Sequence, residues 1–262
     1  MYLCFAFELS IYLSMISFDK LIFFTFIFFA SCQTPLTPTP EEIIAKSVEA
    51  YGFDSDRFEI SFDFREYHYF LKRNGASFTY TRQTIKNDQV IFDRMSSEEP
   101  LKRKVNDTLI SLQDSLQNLY SNSLNSVMYF FQLPKPLQDP AVKAELLNPS
   151  TINGQTYWTI KITFNQEGGG EDFQDEYRYW ISQEDYKIAY LAYNYLTDGG
   201  GTRFRKVQNA REINGIGIQD YVNYKPYQKF ISLDSLPQLF EKDSLIEVSL
   251  IENKNIKVTF PE

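Results

Sequence analysis

Between Arg57 and Phe64 every second residue is apolar: Phe58, Ile60, Phe62 and Phe64 alternate with Glu59, Ser61 and Asp63. A period of two puts one face on a core and the other in water, which a helix cannot do. This stretch is therefore a half-buried strand. The phase then slips, because Tyr67, Tyr69 and Leu71 are apolar on the opposite parity. A bulge near Arg65–Glu66 is expected to return them to the same core. Asn74-Gly75 reads as a two-residue hairpin turn. Ala76, Phe78 and Tyr80 continue on the return strand, and another strand is expected over Gln89–Asp93.

The second half repeats this grammar. Strands are expected over 157–164, 176–182, 186–196, 202–208 and 216–224, and two more over 245–260 hinged at 252–255. Turns fall at Glu167–Glu171, Gln183–Asp185, Asp198–Gly201 and Asn214-Gly215. Helices do not alternate with the strands, so the order predicts an antiparallel meander of a mainly β (α+β) fold. No repeat supports a solenoid or propeller.

Three helices are expected. The first starts at Pro40, with Thr39 as N-cap and Glu42 completing a capping box. Ile43, Ile44, Ser47, Val48 and Tyr51 form its buried stripe, and Gly52 stops it. The second covers 111–131, with Leu112, Leu116, Leu119, Tyr120, Leu124 and Val127 near one face. A short third is expected at 140–147, from Asp139 as cap.

The N-terminus carries an address. Leu21–Ser31 is an apolar run of about ten residues, which suits a signal-peptide core and is too short to span a bilayer. Lys20 precedes it, and Met15 is a plausible true start. Phe29-Ala30-Ser31-Cys32 resembles a bacterial lipobox, which makes Cys32 the expected acylated first residue of the mature chain. Residues 1–31 are then a signal peptide, 32–40 a Pro/Thr linker, and 41–262 a single domain. Cys4 leaves with the signal, so no disulfide framework, cysteine metal site or thiol nucleophile is expected. The whole chain carries a net charge of −8 without a basic block, which argues against nucleic acid.

The segment Asp175-Glu-Tyr-Arg-Tyr-Trp-Ile-Ser-Gln-Glu-Asp-Tyr-Lys-Ile-Ala-Tyr190 resembles a hairpin of the LolA/LolB-like outer-membrane lipoprotein-sorting proteins. A closer resemblance is to an uncharacterised family of bacterial lipoproteins. It rests on Asn125-Ser-Val-Met-Tyr-Phe130, Leu137-Gln-Asp-Pro-Ala-Val142, Gly168-Gly-Gly-Glu-Asp172, Tyr190-Leu-Ala-Tyr193, Thr197-Asp-Gly-Gly-Gly-Thr-Arg-Phe-Arg205 and Gln219-Asp-Tyr-Val-Asn-Tyr224. It covers most of residues 41–227. The resemblance implies a curved, unclosed antiparallel half-barrel, with helices covering its concave face and a cavity that holds acyl chains. It implies a place in the cell envelope, lipid-anchored at the outer membrane and facing the periplasm or the surface. No sorting role carries over residue by residue.

Aromatic residues are the main positive clue to a ligand. Tyr177, Tyr179, Tyr190, Tyr193, Tyr195, Tyr221 and Tyr224 concentrate in the second-half strands. Tyr186, Ile188, Tyr190 and Ala192 are expected on one face, and Ala189, Leu191, Tyr193 and Tyr195 on the other. Both faces are apolar, so both are covered or one lines a cavity. Arg203 and Arg205 share a strand face and suit a carboxylate or phosphate headgroup, or cross-strand ion pairs with Glu176 or Asp198. The acidic loop of Glu167, Glu171, Asp172, Asp175 and Glu176 matches no calcium-loop spacing. The glycines at 199–201 lack the Lys-Ser/Thr and helix of a phosphate cradle. His68, the only histidine, has Glu66 as a potential acid–base partner, with no nucleophile elbow in the chain.

The leading expectation is a lipoprotein, anchored to its membrane through Cys32, that binds a lipid or acyl chain without being an enzyme or needing a cofactor or metal. The alternative is an interaction lipoprotein with a filled core that binds an envelope protein partner. A hydrolase or metal enzyme using Glu66/His68 or the acidic loop ranks below both.

Overall fold

A computed structural model describes residues 37–167 and 174–261. Cys32, the apolar run before it and residues 168–173 of the acidic loop lie outside the described residues. Pro38–Glu262 forms one compact unit.

Helix α1 (Pro40–Ala50) begins as its sequence dictates. The Glu42 amide donates to the Thr39 hydroxyl at 3.2 Å, and the Thr39 amide donates to the Glu42 carboxylate at 2.9 Å. Thr39→Ala is expected to cost about 1 kcal/mol, read from urea unfolding midpoints; an unchanged midpoint would show that the cap contributes nothing. Ile43, Ile44, Ser47 and Val48 are buried, and the helix ends at Gly52 with φ +71°.

Two open antiparallel sheets of seven strands follow. The first takes β1 (Arg57–Phe64), β2 (Tyr67–Asn74), β3 (Ser77–Lys86), β4 (Gln89–Ser96), β5 (Lys102–Val105) and β6 (Thr108–Ile110). Helix α2 (Asp114–Phe131) then leads to the second sheet, with β7 (Val142–Ile152), β8 (Gln155–Phe164), β9 (Glu176–Ser182), β10 (Ile188–Tyr195), β11 (Gly201–Ile213) and β12 (Ile216–Lys225). Helix α3 (Leu236–Glu241), β13 (Ile246–Ile251) and β14 (Lys254–Thr259) complete the chain. The mainly β, unclosed antiparallel architecture is as expected, divided between two sheets.

The division is made at the hinge foreseen near residues 252–255. β13 pairs with β12, whereas β14 crosses to pair with β1. Asn253 pins the crossing: its amide donates to Asp220 Oδ1 at 2.9 Å, and its carbonyl accepts from Arg211 at 2.7 Å.

Several local expectations are corrected. The phase slip after Phe64 is a tight turn, not a bulge: Phe64 pairs with Tyr67, and Arg65 has φ +55°. The pairs Phe62/Tyr69 and Ile60/Leu71 then share one face. The next hairpin turns at Gly75-Ala76, because Asn74 pairs with Ser77. No helix forms over 140–147; β7 runs there instead. Val142, Ala144 and Leu146 alternate with Lys143 and Glu145 and pack on the core, so the period was two. Pro149 fits because β7 is an edge strand whose register shifts between Leu147 and Ser150. β5, β6 and α3 are elements that the sequence expectations do not contain. The Lys102-Arg103-Lys104-Val105 sequence of β5 carries no apolar alternation.

One core joins α1, α2 and facing sides of both sheets. A second cluster lies on the other side of the second sheet, where Trp180, Tyr190, Ala192 and Phe204 pack with Leu233 and Leu236. The second sheet is therefore covered on both faces, which is why β10 reads as apolar on both parities.

Candidate functional site

Helix α2 is fastened at two places. Leu124, Met128 and Phe131 enter the core, with Phe131 stacked on Phe62 at 3.8 Å. Its earlier turns rest on charge: Arg82, Asp93 and Arg103 sit side by side on β3, β4 and β5. Arg82 donates to Asp93 at 2.8 Å and to Ser123 Oγ at 2.9 Å, and Arg103 lies 3.5 Å from the Tyr120 ring centroid. Leu116 and Leu119, foreseen in the apolar stripe, remain exposed.

Held this way, α2 leaves a cavity of about 670 Å³ against the second sheet, within the size range of small-molecule sites, about 300–1,000 Å³. Ser115, Asn118, Asn122 and Ser126 of α2 form an uncharged polar wall, because residues three and four apart share a helix face. Tyr177, Tyr193, Tyr195 and Tyr221 of the second sheet supply aromatic surface, and Phe130 from the last turn of α2 adds to it. Tyr177 stacks on Tyr193 at 5.4 Å, and Phe130 lies 5.3 Å from Tyr193. Asn223, Ser249 and Asn253 add polar groups.

Three of the seven foreseen tyrosines do not line this cavity. Tyr179 shares the Tyr177 face but is fully buried, its hydroxyl 2.9 Å from that of Tyr129. Burial pushes the Tyr179 hydroxyl well above its ordinary range. Tyr190 and Tyr224 point to the opposite side, where Tyr190 stacks on Phe204 and both rings meet Phe240. Alternation along the strands separates them: Tyr190 and Tyr224 join the far cluster while Leu191, Tyr193 and Tyr221 join the main core, and a register shift between Ile188 and Tyr190 moves only Ile188 from the Tyr190 face to the side of Leu191. Helix α1, expected to cover the concave face, contributes no lining residue.

Arg203 and Arg205 both line the cavity, together with Arg65 and the carboxylate of Asp175. Arg203 donates to the Thr202 carbonyl at 2.9 Å and lies 5.1 Å from the Tyr195 ring. Arg205 is 8% exposed. It donates to the Tyr193 hydroxyl at 2.8 Å, and its guanidinium lies 3.8 Å from the Phe130 ring. Among the described residues its Nε has no partner. The foreseen ion pair with Glu176 does not form, because Glu176 holds Arg178 at 2.6 Å and Asp234 holds it from the other side at 2.7 Å. Burial pushes the neighbouring Tyr221 hydroxyl up to about 12 against the opposing effects of Gln219 and Arg205, so it stays neutral.

The Glu66/His68 pair is not assembled. His68 faces Asp63 across the β1–β2 ladder, with Nδ1 2.6 Å from Asp63 Oδ1, outside the cavity. The other Asp63 oxygen accepts from Asn255 at 2.7 Å. Asn255 and then His68 hold the Asp63 carboxyl below its ordinary value of 3.8. A lowered carboxyl pKa stabilises the fold above the unfolded value, and that contribution disappears as pH falls through the folded value. Asp63→Asn is therefore expected to flatten a small loss of stability below about pH 4, seen in urea melts at successive pH values. An identical slope in both proteins would refute the assignment.

Of the acidic loop, Glu171 and Asp172 lie outside the described residues. Among the described residues no group of three or more His, Cys, Asp or Glu is placed to hold a metal ion, and no helix is long and apolar enough to cross a membrane. Sequence reasoning missed the α2 polar wall and Asn223. The wall's spacing was readable, but such a face is ordinarily the solvent side of a helix.

In structure the chain is similar to a DUF1329 family protein from Desulfovibrio piger, at 10% identity and TM-score 0.43, covering 84% of this chain and 93% of that one. It is also similar to a putative outer membrane lipoprotein-sorting protein domain from Vibrio parahaemolyticus, at 8% identity and TM-score 0.40, with the same 84% and 93% coverage. A third likeness is to the Mycobacterium tuberculosis lipoprotein LppX, at 12% identity and TM-score 0.26, covering 59% and 87%. A search of curated proteins found no match. Residues 19–253 match the family model DUF6503, described as a family of unknown function. The expected membership of an uncharacterised family holds: the chain belongs to the DUF6503 family.

Proposed function

We propose that this chain is a non-catalytic binding module of the cell envelope, tethered through acylated Cys32, that takes the apolar part of a lipid or similar ligand between α2 and the second sheet. The carrying observation is the 670 Å³ cavity with Tyr177, Tyr193, Tyr195, Tyr221 and Phe130 on its wall. Aromatic side chains give rigid apolar contact area. Burying a sixteen-carbon chain at about 0.8 kcal/mol per methylene supplies ample driving force. The polar wall from Ser115 to Ser126 suits an amphiphile better than a purely apolar molecule. A filled-core interaction module has less support, because this space is open.

Mass spectrometry of protein purified gently from membranes is expected to show a diacyl or triacyl mass on Cys32 and a co-purified amphiphile. Calorimetry on delipidated protein is expected to show one-to-one binding of hexadecanol with a negative heat-capacity change. Absence of both the co-purified amphiphile and the hexadecanol binding would end the binding reading. Cys32→Ser protein remaining in the membrane fraction would end the tether.

A further inference from the structure

Resting on that binding reading, we infer that the cavity selects its ligand by an anionic oxygen headgroup, a carboxylate or phosphate, seated on Arg205 and Asn223. Three observations carry this. Among the described residues a guanidinium that is 8% exposed has no carboxylate within ion-pair distance, and its Nε is unsatisfied. Buried cations and buried N–H donors are costly without partners. What surrounds Arg205 is aromatic: the rings of Phe130, Tyr193 and Tyr221 lie 3.8, 5.2 and 5.7 Å from its guanidinium carbon. Rings solvate a cation partly but leave its N–H groups unpaired.

Asn223 is the direct cross-strand partner of Arg205. It too is buried, its Oδ1 has no partner among the described residues, and Nδ2 reaches Ser249 only at 3.4 Å. Exchanging the amide's O and N turns a donor to the site while leaving an acceptor for the Ser249 hydroxyl. Two cross-strand partners on the cavity lining thus each carry a buried polar atom with no partner among the described residues.

Charge points the same way. The chain carries −8 overall, yet among the described residues the cavity lining holds three cations, Arg65, Arg203 and Arg205, against one acidic residue, Asp175. The neutral Tyr221 phenol offers Arg205 no counter-charge. An oxyanion at Arg205 gains charge-assisted hydrogen bonds that a neutral head cannot make, while its tail meets Tyr177 and Tyr195.

The test compares hexadecanoate, hexadecyl phosphate and hexadecanol by calorimetry at pH 8 on the delipidated full domain, alongside acetate and inorganic phosphate alone. Either anionic amphiphile is expected to bind at least ten-fold more tightly than hexadecanol, and whichever gains more identifies the headgroup. Arg205→Met is expected to erase that preference, so that hexadecanoate, hexadecyl phosphate and hexadecanol bind it alike, and its urea unfolding transition shows that the variant is folded. Asn223→Leu is expected to reduce the preference in part. Equal binding of hexadecanoate, hexadecyl phosphate and hexadecanol by the native chain overturns the inference and leaves the binding reading standing. Failure of all three overturns both. Acetate or phosphate binding as tightly as the long-chain anions overturns the amphiphile in favour of a free anion.

Discussion

Replacing Asp93 with alanine is expected to destabilise the protein by about 3–5 kcal/mol, the loss seen when one member of a buried ion pair is removed. Asp93 is 1% exposed and stands between Arg82, 4% exposed, and Arg103, 13% exposed. Its two oxygens accept from Arg82 at 2.8 Å and from Arg103 at 2.7 and 2.8 Å. Removing it leaves two adjacent cations, one of them fully out of water. The effect reaches the cavity, because Arg82 carries Ser123 and Arg103 carries Tyr120 of α2. Asp93→Ala protein is therefore also expected to bind hexadecanol more weakly. Urea unfolding and calorimetry read the two effects. A loss below about 1 kcal/mol would place this ladder among weak surface pairs. Replacing Arg82 and Asp93 together by Met and Leu is expected to cost much less, since no uncompensated deep charge remains.

Gly52→Ala is expected to cost about 2–5 kcal/mol, combining a left-handed backbone with a steric clash. Gly52 has φ +71°, and a Cβ there would lie 1.9 Å from the carbonyl oxygen of Gly215. The end of α1 is seated on the β11–β12 hairpin: the Gly217 amide donates to the Tyr51 carbonyl at 2.8 Å, and the Tyr51 hydroxyl bonds to Gln219. Neither backbone can retreat without breaking this seat. Gly75→Ala separates the two causes, because Gly75 has φ +60° with nothing within 4 Å of a new Cβ. Its cost should be about 1–2 kcal/mol, the left-handed penalty alone. Equal losses at both positions would show that the Gly215 contact has no energetic weight.

Much of the fold was legible where a signal was local. The α1 cap, the alternation of β1, the limits of β9 and the Asn214-Gly215 turn each depend on residues a few positions apart. Asn214 and Gly215 have φ +48° and +81°, as a hairpin turn of mirror-image type requires. β5 was not legible, because its stability comes from Asp93 on a neighbouring strand. The cavity was half legible. Tyr177, Tyr193, Tyr195, Tyr221, Arg203 and Arg205 lie on it, whereas Tyr179, Tyr190 and Tyr224 do not. Parity separates Tyr190 from Tyr193 but does not say which face meets the cavity and which meets Phe240, and the shift between Ile188 and Tyr190 carries only Ile188 to the other face.

The sequence by itself determined that this chain is a mainly β, antiparallel protein with a capped first helix and a second long helix. It also carried the resemblance to an uncharacterised family. Periodicity and turn chemistry suffice for that, because they report which neighbours share a face. Tertiary structure alone decided what each face meets. It sent β13 and β14 to different sheets, covered Tyr190 with Phe240, set Gly52 against Gly215, and left Arg205 buried beside an open cavity with no counter-ion among the described residues. Those outcomes depend on pairings between residues far apart in the chain, and no local pattern encodes the partner.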